Sequence, residues 1–309
     1  MPPKKRPASP DVSRLKVLAA GGEQPFSACV SELLASGDRL AREAALNALL
    51  ERPLPKLRDQ LRAMYFEVDA EGEKRDPGAH LRAGIAQILL AGADPRDLDI
   101  ALRAADTREK SMGADCTANL RALGLRIIAS ADPDLFPYVA VEHIDDSSTF
   151  SPEPANTALQ LLAAAGHEVS VYQWIVRGMH DPALIEAAID LLRDAPATVM
   201  SRCLAQLTKS AIETKDEPLL TKLAETIVDR EFNDAYASLS SIVESPISKE
   251  LYSYLALLLA GTNRPALLSI LDEQLENDIR RRPAILDALR VRTTPEQVAL
   301  LKRWEDDEE

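Results

Sequence analysis

Apolar residues recur at helical spacing along almost the whole chain after residue 22. The clearest example is residues 38–52, where one broad apolar stripe contains Leu40, Ala44, Ala45, Leu46, Leu49 and Leu50. The polar residues of this segment fall outside the stripe, namely Arg39, Arg42, Glu43 and Asn47. Apolar positions three or four residues apart place one continuous apolar face along a helix. The pattern therefore predicts an amphipathic helix here and similar helices downstream.

Dipeptides that favour helix starts separate these apolar stretches. They are Asp76-Pro77, Asp94-Pro95, Asp132-Pro133, Ser151-Pro152, Asp181-Pro182, Glu217-Pro218, Ser245-Pro246 and Thr294-Pro295. A carboxylate or hydroxyl accepts free N–H groups of the first turn, and proline tolerates the first helical position because its missing N–H would have no partner there. We therefore interpret these acids and hydroxyls as helix caps rather than as ligands.

Grouped in pairs, the predicted helices repeat regularly along the chain. First helices of successive pairs are predicted to start near residues 24, 55, 95, 133, 170, 197, 233 and 264, with a closing helix near 295. One helix hairpin cannot bury its own apolar face and must stack on neighbours. The sequence predicts an all-α protein, an α-solenoid of about eight stacked helix hairpins over residues 23–304. A disordered basic, proline-rich arm (1–22) precedes it, and an acidic tail (305–309) follows.

Residues 181–192, Asp-Pro-Ala-Leu-Ile-Glu-Ala-Ala-Ile-Asp-Leu-Leu, resemble the second helix of HEAT-like repeats. Two further segments are similar: Asp76-Pro77 followed by Leu81, Arg82, Ala83, Ile85, Ala86 and Ile88, and Asp38 followed by Leu40, Arg42, Ala44, Ala45 and Leu46. The chain departs from the family pattern where Ile185 or Glu186 replaces a frequent arginine, and it loses the Asp-Pro signature after residue 195. The resemblance implies a helical-repeat fold and no particular activity.

Composition agrees with closely packed helices and restricts the partner. There are 12 glycines, and aromatic residues make up 4% of the chain. The 36 Lys and Arg against 49 Asp and Glu give a net charge of −13, which argues against a nucleic-acid or lipid-surface partner and favours a basic protein. Cys29, Cys116 and Cys203 have no paired spacing, as expected of reduced thiols in a cytoplasmic protein. No apolar run approaches the roughly 20 residues that span a bilayer.

The main catalytic and cofactor motifs are absent from the sequence. It contains no GxGxxG, phosphate-binding loop, HExxH, CxxC or GxSxG pattern. The four histidines, His80, His143, His167 and His180, fall in different predicted hairpins, which argues against a shared metal site. We therefore expect no enzyme activity, no catalytic residues, no metal and no cofactor.

The strongest local signal is an acidic, aromatic-bearing segment without cations. Residues 127–176 contain no Lys or Arg, whereas the chain average of 36 in 309 residues would place about six there. The candidate partner-binding residues in this segment are Asp132, Asp134, Phe136, Tyr138, Glu142, Asp145, Asp146, Phe150, Tyr172 and Trp174. Acids would steer a basic partner and aromatic rings would anchor it. The alternative is that the rings pack between helices while the acids face water.

Two basic segments have less specific interpretations. Residues 280–303 carry Arg280, Arg281, Arg282, Arg290, Arg292, Lys302 and Arg303, which we interpret as a polar cap on the last repeat. Lys4, Lys5 and Arg6 in the N-terminal arm could form a targeting tag. The sequence thus favours a non-catalytic interaction scaffold or adaptor, for example a complex subunit or an inhibitor of a basic protein. The alternatives are a DNA-binding enzyme of the HEAT-like alkylbase DNA glycosylase type and, by fold analogy alone, a lyase-like helper that attaches a chromophore.

Overall fold

The chain is mostly helical in the part that the structure describes. The structure, a computed structural model, describes Leu15, Leu18 and residues 22–111, 113–147, 151–178, 182–262, 264–291 and 294–306. Over these ranges it has seventeen α-helices and one short antiparallel hairpin. The all-α prediction is confirmed. The chain forms two compact units, Met1–Ser170 and Val171–Glu309, which are described separately below.

The first unit contains eight complete helices. They are α1 (Glu23–Ala35), α2 (Arg39–Glu51), α3 (Arg58–Asp69), α4 (His80–Leu90), α5 (Leu98–Asp106), α6 (Ala118–Ala131), α7 (Phe136–Val141) and α8 (Ala155–Ala164). Short 3-10 turns at Pro55–Leu57, Gly72–Lys74, Pro77–Ala79 and Pro95–Asp97 precede or join them. Between α5 and α6, strands β1 (Lys110–Ser111) and β2 (Ala114–Asp115) pair antiparallel, with Lys110 opposite Asp115.

Helices of the first unit pack in two alternating series. Each odd-numbered helix contacts the helix that follows it, in the pairs α1 with α2, α3 with α4, α5 with α6 and α7 with α8. The even-numbered helices also contact one another in the order α2, α4, α6, α8, and the odd-numbered ones in the order α1, α3, α5. Side-by-side hairpins of this kind bury one continuous apolar layer between them.

The second unit has the same alternation. Helix α9 (Glu168–Arg177) spans the boundary, and the unit continues with α10 (Pro182–Leu191), α11 (Ala197–Thr214), α12 (Glu217–Asp229), α13 (Tyr236–Glu244), α14 (Lys249–Ala260), α15 (Pro265–Asn277), α16 (Arg282–Arg290) and α17 (Pro295–Asp306). A 3-10 turn at Asn233–Ala235 precedes α13. Helices α12, α14 and α16 pack in one series, and α11, α13, α15 and α17 pack in another.

The predicted helix starts agree with the observed ones. The nine predicted starting points fall at or within three residues of a helix or 3-10 start, and the largest difference is 133 against Phe136. In the N-terminal arm, Leu15 and Leu18 are helical and Leu15 is buried, so the prediction of disorder does not hold at these two positions. The rest of residues 1–21 lies outside the described residues, as do residues 307–309 of the predicted acidic tail.

Most of the predicted caps act as expected. Asp76 accepts the backbone N–H groups of Leu81 and Arg82, at 2.9 and 3.0 Å, and Asp94 accepts that of Arg96 at 2.8 Å. Comparable contacts form at Asp132, Ser151 and Thr294. Asp181 lies outside the described residues. The dipeptides therefore mark helix starts because their side chains satisfy first-turn N–H groups.

Two of the predicted caps were assigned to the wrong residue. At α12 the cap is Asp216, which accepts the N–H of Leu219 at 3.1 Å, and not Glu217. At α14 it is Ser248, which accepts the N–H of Leu251 at 3.2 Å, whereas the Ser245 hydroxyl donates to the Ile242 carbonyl. Glu217 instead binds Ser248, and so ties the start of α12 to the start of α14.

Arginines occupy buried positions in the even-numbered series of the first unit. Arg42, Arg82 and Arg121 lie on α2, α4 and α6, 40 and 39 residues apart, and each is at most 5% exposed. Arg42 donates to the Leu34 carbonyl at 3.2 Å and to the Glu67 carboxylate at 3.1 Å.

The apolar-stripe prediction for α2 was wrong for Arg42, which is buried, and for Leu40 and Leu50, which are exposed. Hydrogen-bonded partners make burial of the guanidinium possible.

Helices α5 and α6 approach each other very closely at Gly124. A Cβ atom at this position would lie 2.6 Å from the Ala101 carbonyl oxygen and 2.7 Å from the Ala105 nitrogen, both of them backbone atoms. Only glycine allows two helix backbones to come this near. Gly124 therefore fixes the spacing of the third hairpin.

Cys29, Cys116 and Cys203 form no disulfide bond. Cys29 and Cys116 are half-buried in the first unit, and Cys203 is buried in α11 of the second unit. Burial raises the pKa of the Cys203 thiol to about 11. Burial also raises the pKa of Cys116, whose thiol donates to the Glu109 carbonyl at 3.3 Å. A raised pKa leaves little thiolate near neutral pH, so these two thiols are poor nucleophiles.

Candidate partner-binding surface

The candidate segment begins at the turn between α6 and α7, where Asp132 is half-buried and Phe136 is buried. The Asp132 carboxylate accepts the N–H of Leu135 at 3.0 Å and so caps the turn into α7. Phe136, the first residue of α7, is 1% exposed. Its ring is a packing residue, as the alternative interpretation of the sequence expected.

The exposed side of α7 presents an aromatic ring between two carboxylates. Tyr138 is 75% exposed, and Asp134 and Glu142, four residues before and after it, are also exposed. Val141 is 43% exposed. Asp134 lies in the turn before α7 and Glu142 in the turn after it, and backbone hydrogen bonds of three- or four-residue spacing run through both turns, from Phe136 to Asp132 and from Glu142 to Val139. Residues three or four apart in a helical stretch are neighbours, so these side chains lie towards one side of the segment. We call Asp134, Tyr138, Val141 and Glu142 the α7 stripe.

Asp146, a few residues beyond the stripe, belongs to a buried charge network instead. Its carboxylate accepts hydrogen bonds from Arg121 Nε at 2.9 Å and from Arg108 Nη2 at 3.0 Å. His143 Nδ1 lies 3.3 Å from the same carboxylate, and the imidazole is buried. Asp146 therefore holds the segment after α7 to α6, and its charge is balanced from within the chain.

The other carboxylate of this network is Asp115, in β2. Arg121 donates to Asp115 as well as to the Thr107 carbonyl. Burial acts to raise the pKa of Asp115, but hydrogen bonds from Arg121 and Thr117 outweigh it and lower that pKa to about 2. The Arg121 guanidinium is 1% exposed, and the two carboxylates compensate for the loss of its hydration.

The remaining candidate residues are dispersed. Asp145 is exposed, next to Asp146. Phe150 lies outside the described residues. Tyr172 is half-buried and Trp174 is 1% exposed, and both lie on α9 in the second unit. Of the five aromatic candidates, Tyr138 is thus the one that offers a largely exposed ring among those that the structure describes.

The sequence pattern did not reveal the arginines that approach the acidic segment from outside it. Arg108 and Arg121 precede residue 127, so the count of cations in residues 127–176 did not include them. A signal was present: Asp76 stands six residues before Arg82, and Asp115 stands six residues before Arg121. This repeated spacing predicts a recurrent ion pair, in which the charge of the arginine is balanced by an aspartate of the same chain.

Arg281 and Arg282, in the basic segment near the C-terminal end of the chain, make packing contacts. Arg281 lies over the Tyr252 ring, 4.4 Å from its centroid, and donates to the Ser245 carbonyl at 2.8 Å. Arg282 donates to the Leu275 carbonyl at 2.7 Å and lies over the Trp304 ring. Arg280, Arg290, Lys302 and Arg303 are exposed, and the interpretation of residues 280–303 as a polar cap on the last repeat stays a prediction.

The described residues contain neither metal-binding groups nor membrane-spanning helices. Across the described ranges, no three His, Cys, Asp or Glu side chains are grouped so that they could hold a metal ion. Each helix that the structure describes is too short or too polar to cross a lipid bilayer. Comparison of the chain with protein-family models, curated proteins and solved structures found no match.

Proposed function

We propose that this protein is a non-catalytic interaction scaffold of the HEAT-like kind, with about eight stacked hairpins over residues 23–304, and that it binds a basic protein partner. The alternating helix series within each unit and the 39-residue repeat of the Asp-Arg pairs support such an architecture. Three cysteines that form no disulfide bond suit a reducing compartment, and we place the protein in the cytoplasm.

The observation that carries the proposal is the division of carboxylates around α7. Asp146 and Asp115 are neutralised by Arg108 and Arg121, whereas Asp134 and Glu142 make no ion pair with any residue that the structure describes. The net charge of −13 adds long-range attraction for a cationic partner. The surface beside Tyr138 thus combines an anchor for a partner with charges that steer it.

The proposal is tested by measuring the binding of the full chain to purified candidate partners. Proteins captured from a lysate of the source cells by the immobilised full chain would be identified by mass spectrometry, and each would be purified and titrated by biolayer interferometry at physiological salt. We expect a basic partner with saturable binding that the double variant Asp134→Lys/Glu142→Lys weakens at least tenfold. The matched control is Glu32→Lys/Asp99→Lys, which reverses two exposed charges elsewhere in the first unit.

Two outcomes would contradict the proposal. One is that no captured protein forms a saturable binary complex. The other is that the full chain binds duplex DNA at low salt and releases alkylated bases, which would favour the DNA glycosylase alternative. Asp146 is unsuitable for charge reversal, because its contacts with Arg108 and Arg121 would be broken and any loss of binding would then be confounded with unfolding.

A further inference from the structure

The exposed ring of Tyr138 is the starting point for a more specific assignment. Tyr138 is the most exposed large hydrophobic side chain among the described residues. An aromatic side chain of this size is usually at least half covered in a folded protein. Asp134 and Glu142, four residues before and after it, lie in the turns that flank α7, so a single long side chain can contact the ring face and a neighbouring carboxylate.

The cation that would complete this arrangement is not supplied by the described part of the chain. Residues 127–176 contain no Lys or Arg, and the cations that reach this region, Arg108 and Arg121, are held by Asp146 and Asp115. The α7 stripe therefore has unbalanced negative charge beside an uncovered ring. Charge complementarity requires a positively charged occupant.

A guanidinium fits the α7 stripe better than an ammonium does. It is planar, stacks on an aromatic face, is weakly hydrated, and keeps its N–H donors free at the edges for carboxylates. Lysine carries a compact, strongly hydrated charge that cannot stack and bridge at once. Val141 offers apolar surface against which the methylene groups of an arginine can lie.

We propose that the α7 stripe binds an arginine-containing, extended segment of the partner, with a guanidinium stacked on Tyr138 and hydrogen-bonded to Asp134 or Glu142. This assignment rests on the proposed function, because it names the chemical group by which the basic partner is recognised. It requires no rearrangement of the core, since Phe136, on the same helix, stays buried.

Fluorescence polarisation with the full-length protein and three labelled peptides tests the assignment. The peptides carry four arginines, four lysines or four citrullines at the same positions in a Gly-Ser sequence, at about 0.15 M salt to screen long-range attraction. Citrulline keeps the shape of arginine without its charge. We expect the arginine peptide to bind, the lysine peptide to bind about three- to tenfold more weakly, and the citrulline peptide not to bind.

Variants separate stacking from charge. Tyr138→Leu keeps apolar area but removes the π face and should weaken arginine binding about three- to fivefold while leaving lysine binding nearly unchanged. Asp134→Asn/Glu142→Gln should weaken both peptides. The control Glu32→Gln/Asp99→Asn should alter neither, and circular dichroism would verify that each variant is folded. Because the altered side chains of the stripe and the control are exposed, loss of folding is not expected.

Equal binding of the arginine and lysine peptides that is insensitive to Tyr138→Leu would overturn the assignment, since it would reveal only attraction to net negative charge. Absence of arginine-peptide binding would also overturn it. Failure here is distinguishable from failure of the proposed function. If a purified basic partner binds the stripe variants as tightly as the wild type, the α7 stripe is rejected as the binding site. The scaffold proposal would still stand.

Discussion

At the scale of single residues, three buried arginines depart from the pattern that helical periodicity predicts. Helical periodicity treats every arginine as polar and places it on the solvent side. Arg42, Arg82 and Arg121 are buried nonetheless, because carboxylates or carbonyl oxygens accept their hydrogen bonds. The sequence offered all rings of the acidic segment as partner-binding candidates, with packing between helices as the alternative, and it could not tell Phe136 from Tyr138.

Replacing the central arginine of the charge network should destabilise the protein strongly. Arg121→Met keeps much of the side-chain volume but leaves the Asp115 and Asp146 carboxylates with too few donors. We expect a loss of about 3–5 kcal/mol in the free energy of unfolding, measured by urea denaturation at pH 7. The control Arg96→Met removes a surface ion pair and should cost less than about 1 kcal/mol. Similar losses for the two variants would contradict the buried network.

The low pKa of Asp115 predicts how its contribution depends on pH. The pKa is about 2 in the folded protein, below the 3.8 of an unperturbed aspartate, so folding favours the ionised form. This stabilisation is fully present above pH 3.8 and is lost as pH falls through about 2. Asp115→Asn should therefore cost about 1–2 kcal/mol at pH 6.

The same variant should differ little from the wild type near pH 2, where Asp115 of the wild type becomes protonated. Urea denaturation of both proteins at pH 6, 4 and 2 would measure the difference. A difference that stays constant from pH 6 to pH 2 would show that the carboxylate charge is not what stabilises this contact.

At the scale of helices, the sequence was most informative where side chains act on nearby backbone. Helix starts were predicted to within three residues, and at the starts near residues 95, 133 and 295 an Asp or Thr side chain accepts a first-turn N–H group. The prediction was wrong at Glu217 and Ser245, where a neighbour, Asp216 or Ser248, is the cap. The Glu217 carboxylate accepts a hydrogen bond from the Ser248 hydroxyl, 31 residues away. A contact at that distance along the chain leaves no local signal in the sequence.

The close approach of α5 and α6 predicts an unusual response to a small substitution. Alanine normally stabilises a helix relative to glycine by about 1 kcal/mol. At Gly124 the added methyl group would meet backbone atoms of α5 that cannot move independently, so Gly124→Ala should destabilise the protein by about 1–3 kcal/mol. Calorimetry should record a lower Tm.

Gly37→Ala is the matched control, because nothing lies within 4 Å of the position that its methyl group would occupy. It should leave the Tm unchanged or raise it slightly. A Tm for Gly124→Ala equal to that of the wild type would mean that α5 and α6 can separate at little cost.

At the scale of the whole molecule, the sequence correctly predicted the all-α class. The prediction of one array over residues 23–304 remains a prediction, and the chain forms two compact units with a boundary at Ser170. Helical periodicity reports how each helix buries its own face and carries no information on contacts between hairpins far apart in sequence. Helical periodicity therefore cannot predict a boundary between units.

The division predicts that the first unit folds without the second. A fragment of residues 1–170 contains all eight helices from α1 to α8 and the whole Arg121 network. We expect a helical circular dichroism spectrum and a single cooperative thermal transition. A fragment that is unfolded or melts without cooperativity would show that the first unit depends on residues beyond Ser170.

Because the cysteines lie in both units, their reactivity can report which region of the protein unfolds first. Two half-covered sulphur atoms belong to one unit, and the fully covered Cys203 belongs to the other. Pulsed alkylation under mild denaturing stress, followed by peptide mass spectrometry, would register when each region first admits solvent. The order of events could then be read from the wild-type chain, without dyes or engineered labels.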